Sequence, residues 1–181
     1  MAPEGRRDAI LDAAAALILK LGLRGTSMEA IARGAGIAKP TLYAHFPDKT
    51  AVFDALIARL VAGWREAFRA GLDGEGDVVQ RVAAALAARH KAIHRLLAAS
   101  PHAEEICGEH ERGGPTIAAF EAEMANAIET ALAQAGAARA RPLTQLLLAA
   151  AEGIARKAQS PAEIGPALRL LAERLLRPEL P

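Results

Sequence analysis

The sequence predicts an all-α protein, and three observations carry that reading. Of its 181 residues, 45 are Ala and 23 are Leu, both strong helix formers. Val and Thr together number only 11 and aromatics make up 3%, so the residues that strands favour are scarce. Apolar residues also recur at spacings of three and four between Gly, Pro and Ser breaks set a helix length apart. The length fits one domain or two small ones. The longest stretch without a charge, Pro142 to Ala151, is ten residues, against the roughly 20 that a membrane span needs. No basic-then-apolar segment opens the chain, so a soluble, cytoplasmic protein is expected. The one cysteine, Cys107, excludes an intrachain disulfide and suits a reducing compartment. Net charge is +1, but residues 1–50 hold seven Lys/Arg against five Asp/Glu, and residues 101–181 hold eight against eleven. A basic front and an acidic back suit a protein that points one end at a polyanion.

About nine helices are expected. The first carries Ile10, Ala13, Leu17 and Leu21 as its apolar stripe, with Gly22 as its stop. Thr26, with Glu29 three residues on, reads as the capping box of a second, short helix whose apolar side is Met28, Ile31, Ala32 and Ala35. Gly36 ends it. A third helix follows with Pro40 near its start, and Pro47 stops it. Asp48 caps a fourth, in which Val52, Leu56, Leu60 and Trp64 repeat every fourth residue as far as a Gly71–Gly76 linker. Further helices are expected near 77–99, 101–111, 114–136, 140–158 and 161–177, separated at Ser100-Pro101, Gly113-Gly114-Pro115, Gly136–Arg141 and Ser160-Pro161.

Two short helices joined by a tight turn at Gly36 form a helix-turn-helix over residues 27–46. Leu42 and Phe46, with Ile37, can anchor its second helix on the first. Lys39, Thr41, Tyr43 and His45 are then expected on the outer surface, a donor-rich set suited to phosphate and base-edge contacts.

At these residues the sequence also resembles a known family. Residues 6–64 resemble the DNA-binding region of the TetR family of bacterial transcriptional regulators. The likeness rests on Ile10-Leu11-Asp12-Ala13-Ala14, Gly25-Thr26-Ser27-Met28, Ile31-Ala32, Ala35-Gly36-Ile37, Lys39-Pro40-Thr41-Leu42-Tyr43-Ala44-His45-Phe46 and Asp48-Lys49. It implies a three-helix head over residues 4–64, whose third helix enters the major groove. Residues 65–181 are then an effector-binding and dimerisation body. It further implies that Lys39, Pro40, Thr41 and Tyr43 face bases and sugars, and that Thr26, Ser27, Tyr43, His45 and Lys49 touch phosphates. Where the family usually has Ser or Thr at the recognition-helix N-cap, this chain has Ala38. A missing hydroxyl there costs about 1 kcal/mol, which Pro40 partly offsets by presetting φ.

The body carries no comparable signature. Trp64, Phe68, Phe120 and Met124 suit an apolar effector pocket, with His94, Cys107 and His110 as its polar candidates. Leucines cover much of the circumference of the last two helices, which points to burial on a second side by a partner subunit. Leu143, Leu147, Ile154, Leu168, Leu171 and Leu175 are the expected dimer face. His90 and His94 lie one turn apart, and with Cys107 and His110 they offer a rival metal- or redox-responsive reading, although no C-x-x-C or H-E-x-x-H spacing occurs. No P-loop, Rossmann or nucleophile-elbow motif is present, so no enzymatic activity and no cofactor is expected. The expected protein is a homodimeric repressor that a small hydrophobic effector releases from an inverted-repeat operator; a second rival is an all-α ligand-binding protein that has lost DNA binding.

Overall fold

The computed structural model describes residues 3–98, 100–102 and 114–181, with side chains from Gly5 onward. Every regular element among them is helical: α1 Pro3–Gly25, α2 Met28–Gly34, α3 Lys39–His45, α4 Lys49–Leu72, α5 Val78–Ala98, α6 Pro115–Gln134, α7 Ala140–Lys157 and α8 Pro161–Leu176, with a short 3-10 turn at Arg177–Glu179. The helix expected over 101–111 lies almost wholly outside the described residues, as do Cys107 and His110. Among the described residues, no helix is long and apolar enough to cross a membrane.

The chain gathers into two compact units, residues 1–61 with 97–117 and residues 62–96 with 118–181. The chain returns to its first unit after residue 96. Buried Ser100 is one tie, donating from Oγ to the Leu19 carbonyl at 2.8 Å.

In the first unit, α1, α2, α3 and the first turns of α4 enclose one core. The buried stripe of α1 is Ile10, Leu11, Ala14 and Ile18. This corrects the sequence expectation: Ala13 and Leu17 flank the core, and Leu21 is exposed. The i, i+4, i+8 row that the core covers is one residue round the helix from the row expected. Gly22 does break α1, with φ 75° and ψ 168° that side chains disfavour. Leu42 and Phe46 of α3, Met28 and Ile31 of α2, and Val52 and Leu56 of α4 complete the core. Each large side chain buried this way contributes about 1.5–3 kcal/mol.

In the second unit, Phe120, Met124, Ile128 and Leu132 make a four-residue stripe along α6, and Leu143, Leu147 and Ala151 make one along α7. Ile164, Leu168, Ala172 and Leu176 face inward from α8, which packs on α7. Phe68 meets Phe120 edge-on at 6.4 Å, and the Arg65 guanidinium covers the Phe120 ring. A Cβ on Gly71 would lie 2.5 Å from the Ala85 Cα, so α4 and α5 cross in contact only because that residue is glycine.

Candidate nucleic-acid interface

The short head helices are held by local hydrogen bonds. Ser27, not Thr26, is the N-cap of α2: it is extended at φ −116°, ψ 157°, and its Oγ accepts from the Ala30 N–H at 3.2 Å. Thr26 is 2% exposed, and its hydroxyl donates to the Gly22 carbonyl at 2.8 Å. A buried hydroxyl already committed to a carbonyl cannot reach a phosphate, so the expected role of the Thr26 side chain is corrected to a structural one. Two adjacent hydroxyl residues made the cap ambiguous in sequence, and Glu29 drew the assignment to Thr26. In the structure Glu29 is committed elsewhere.

Gly36 turns the chain at φ 66°, with the Ile37 N–H bonded to the Ala32 carbonyl at 3.0 Å. Ala38 is the N-cap of α3, extended and without a side-chain bond, so the hydroxyl absent from the sequence is also absent from the cap. Its carbonyl accepts from Thr41 and Leu42 at 3.0 and 3.2 Å. Pro40 sits in the first turn, where its missing N–H leaves no helix bond broken.

Leu42 and Phe46 pin α3 to the core, and Arg7 lies 5.2 Å over the Phe46 ring. The opposite arc is Lys39, Pro40, Tyr43 and Ala44, all exposed, with Tyr43 at 43%. Thr41 and His45 are half-buried at its edges. The expected outer set, Lys39, Thr41, Tyr43 and His45, alternated as a strand does. A 3.6-residue period instead brings Pro40 and Ala44 forward and draws Thr41 and His45 back.

Lys39 sits 5.9 Å over the Tyr43 ring and forms an ion pair with Glu29 on α2, a cross-helix contact that nothing in the sequence signals. The bond to Lys39 lowers the Glu29 pKa, and the same bond raises that of Lys39. Both groups are open to water, so the pair adds little to stability. Lys49 donates to the Leu23 carbonyl at 2.9 Å, closing the turn after α1, while Asp48 caps α4 through the Ala51 N–H at 2.8 Å. One arc of a buried-backed helix thus presents an ammonium, an aromatic phenol and a rigid pyrrolidine, with Ser27 and Lys49 at the edges of the same core. Side chains of this kind can contact phosphates and base edges together.

In the second unit, Trp64, Phe68, Phe120 and Met124 are all buried. His94 is half-buried, its Nε2 at 3.1 Å from the Ala158 carbonyl. His90 is buried beside Arg89, and its pKa falls to about 3 through desolvation first and the Arg89 charge second. Arg89 is itself 5% exposed, reaching Glu152 at 3.4 Å and Glu121 at 3.7 Å. Among the described residues, no three His, Cys, Asp or Glu side chains gather as metal ligands would. The expected dimer face is corrected in part. Leu143, Leu147 and Leu168 belong to the chain's own core; Ile154, Leu171 and Leu175 are half-buried; and the leucines that stand clear are Leu146 and Leu170, each 59% exposed.

Residues 10–56 match the family model described as bacterial regulatory proteins, tetR family. The transcriptional repressor KstR2 of Rhodococcus jostii is 35% identical over 49% of this chain and 47% of its own. The transcriptional activator FasR of Mycolicibacterium smegmatis is 37% identical over 46% of this chain and 38% of its own. The aligned region thus spans about half the length of these curated relatives or less. A TetR/AcrR-family transcriptional regulator from Thermobifida fusca superposes with a TM-score of 0.73 at 25% identity, covering 93% of this chain and 96% of that one. The helix-turn-helix geometry and the family match agree over residues 10–56: this region is that of the tetR family of bacterial regulatory proteins, on a fold shared with a TetR/AcrR-family regulator.

Proposed function

We propose that the chain is a transcriptional regulator that reads double-stranded DNA through residues 4–64, acts as a homodimer through residues 65–181, and releases an inverted-repeat operator when a small apolar molecule binds its body. The observation that carries this is the exposed Lys39-Pro40-Tyr43 arc of α3, backed by buried Leu42 and Phe46. Lys39, Pro40 and Tyr43 meet bases and sugars, Thr41 and His45 approach from the edges, and Ser27 and Lys49 take phosphates. Repression, rather than activation, follows the KstR2 likeness; FasR is named an activator. The buried Trp64, Phe68, Phe120 and Met124 favour an apolar effector. The relatives above are transcriptional regulators.

The test is selection of duplexes from a random pool by the native protein. The expected yield is an inverted repeat, because two identical heads read two half-sites. On that duplex, Lys49→Ala should flatten the dependence of log K on log salt by about one unit, as loss of one phosphate contact does. Thr41→Ala should change the preferred bases instead. Failure to enrich any sequence overturns the reading.

A further inference from the structure

A groove of about 350 Å³ opens within the second unit, between the end of α4, the start of α5 and the second half of α6. Asn126, Thr130 and Gln134 line it from α6, spaced every fourth residue and all exposed, so they share one face. Arg81 of α5 and Asp73, just past α4, line it as well, and Leu72 with two alanines of α6 supplies an apolar floor.

Arg81 is the anomaly. Four arginines among the described residues are withdrawn from solvent: Arg59, Arg65, Arg81 and Arg89. Arg59 pairs with Asp12, Arg65 with Glu123, and Arg89 with Glu152. Arg81 has no carboxylate within ion-pair distance among the described residues, and its Nε is sealed from solvent with no acceptor. Asp73 shares the groove but stays out of its reach. The sealed Nε, like that of Arg89, loses hydration that nothing returns, while the terminal nitrogens of Arg81 have no carboxylate among the described residues and remain open to a ligand in the groove.

We propose that this groove binds a small zwitterion of the free α-amino acid class. Its carboxylate takes the guanidinium of Arg81 and its ammonium takes Asp73, while the amides and hydroxyl of Asn126, Thr130 and Gln134 fix the polar backbone. The unpaired Arg81 and Asp73 favour a ligand that bridges them over one that carries a single sign. A phosphate dianion meets Asp73 unfavourably, and a simple amine meets Arg81 unfavourably. The floor of Leu72 and alanines favours an aliphatic side chain, and the volume falls within the range of small-molecule sites. The site is separate from Trp64, Phe68 and Phe120, so it does not depend on the apolar-effector reading.

Isothermal titration of the native chain with L-leucine, L-valine, L-methionine and L-glutamine tests this directly. At least one should bind with a submillimolar Kd. N-acetyl-L-leucine, which lacks the ammonium, and L-leucinamide, which lacks the carboxylate, should bind at least tenfold more weakly than leucine. Asp73→Asn, at an exposed position, and Arg81→Gln should each lose at least tenfold, with far-ultraviolet dichroism confirming that both are folded. The analogue series needs no variant, so a misfolded Arg81→Gln protein leaves the proposal testable. Absence of binding by all four amino acids overturns it. So does N-acetyl-leucine or inorganic phosphate binding as tightly as the amino acids, which marks a plain anion site. Equal binding by both folded variants overturns it too.

Discussion

Replacing Thr26 by Val separates a structural hydroxyl from a DNA-contacting one. The Thr26 Oγ1 donates to the Gly22 carbonyl at 2.8 Å, and the residue is 2% exposed. Valine nearly matches the shape of threonine, so the substitution opens no cavity. It removes one hydrogen bond and leaves the carbonyl facing a methyl group instead of a donor. Such a buried unsatisfied group costs about 1–3 kcal/mol. Gly22 cannot easily turn its carbonyl away, because its φ of 75° already serves the kink inside α1. In a chain of this size, 1 kcal/mol moves Tm by about 2–4 °C, so a fall of roughly 2–12 °C is expected. Urea denaturation should show a lower midpoint at unchanged slope, the sign of lost stability without a change in the surface exposed. Fully folded Thr26→Val protein should bind the selected operator within twofold of the parent, and Thr26→Ser should recover most of the stability. A variant as stable as the parent that binds operator tenfold more weakly would place the hydroxyl at the DNA and refute the structural assignment.

Gly63 in α4 is exposed, and a Cβ there meets nothing within 4 Å among the described residues, so Gly63→Ala should stabilise by about 0.5–1 kcal/mol in urea denaturation. His90 titrates near 6.5 when unfolded and near 3 when buried, so the unfolded chain binds more protons throughout that window. Its contribution to stability is complete above pH 6.5 and declines as pH falls toward 3, by about 2 kcal/mol between pH 7 and 5; denaturation of His90→Gln should lack that part of the loss. Light scattering should show a dimer, and Leu146→Glu with Leu170→Glu should give a folded monomer. Leu147→Glu should instead unfold the second unit, since Leu147 is fully buried in its own chain.

The long helices were legible because their ends are punctuated. Ser160-Pro161 starts α8 at the residue expected, Pro115 starts α6 one residue after the expected start, and the Gly71–Gly76 region separates α4 from α5. The head was legible because its spacing is dense in meaning: Gly36 needs its positive φ, and Leu42 and Phe46 need a core. Which arc of a helix is covered was harder to read. In an alanine-rich helix with leucines on several sides, neighbours decide whether Leu17 or Ile18 goes inward, and the sequence of one helix does not contain its neighbour. The same ambiguity placed Leu143, Leu147 and Leu168 in an expected interface that their own chain already fills. The contact between Glu29 and Lys39, ten residues apart across the turn, follows only from how α2 and α3 are set against each other.

Under the proposed function, that contact bears on how the head searches DNA. With Lys39 held by Glu29, the recognition helix carries its own stand-in for an acceptor on the DNA. The charge it shows to a distant duplex is partly cancelled, so long-range attraction gains little from this lysine. At contact, an acceptor on the DNA must displace a carboxylate that is already in place. Random sequence offers only that exchange of one acceptor for another. A site whose bases also satisfy Tyr43 and Thr41 gains contacts beyond the exchange. The carboxylate thus weakens this one contact on every sequence alike, and the choice between operator and random DNA is left to the contacts proposed for Tyr43 and Thr41.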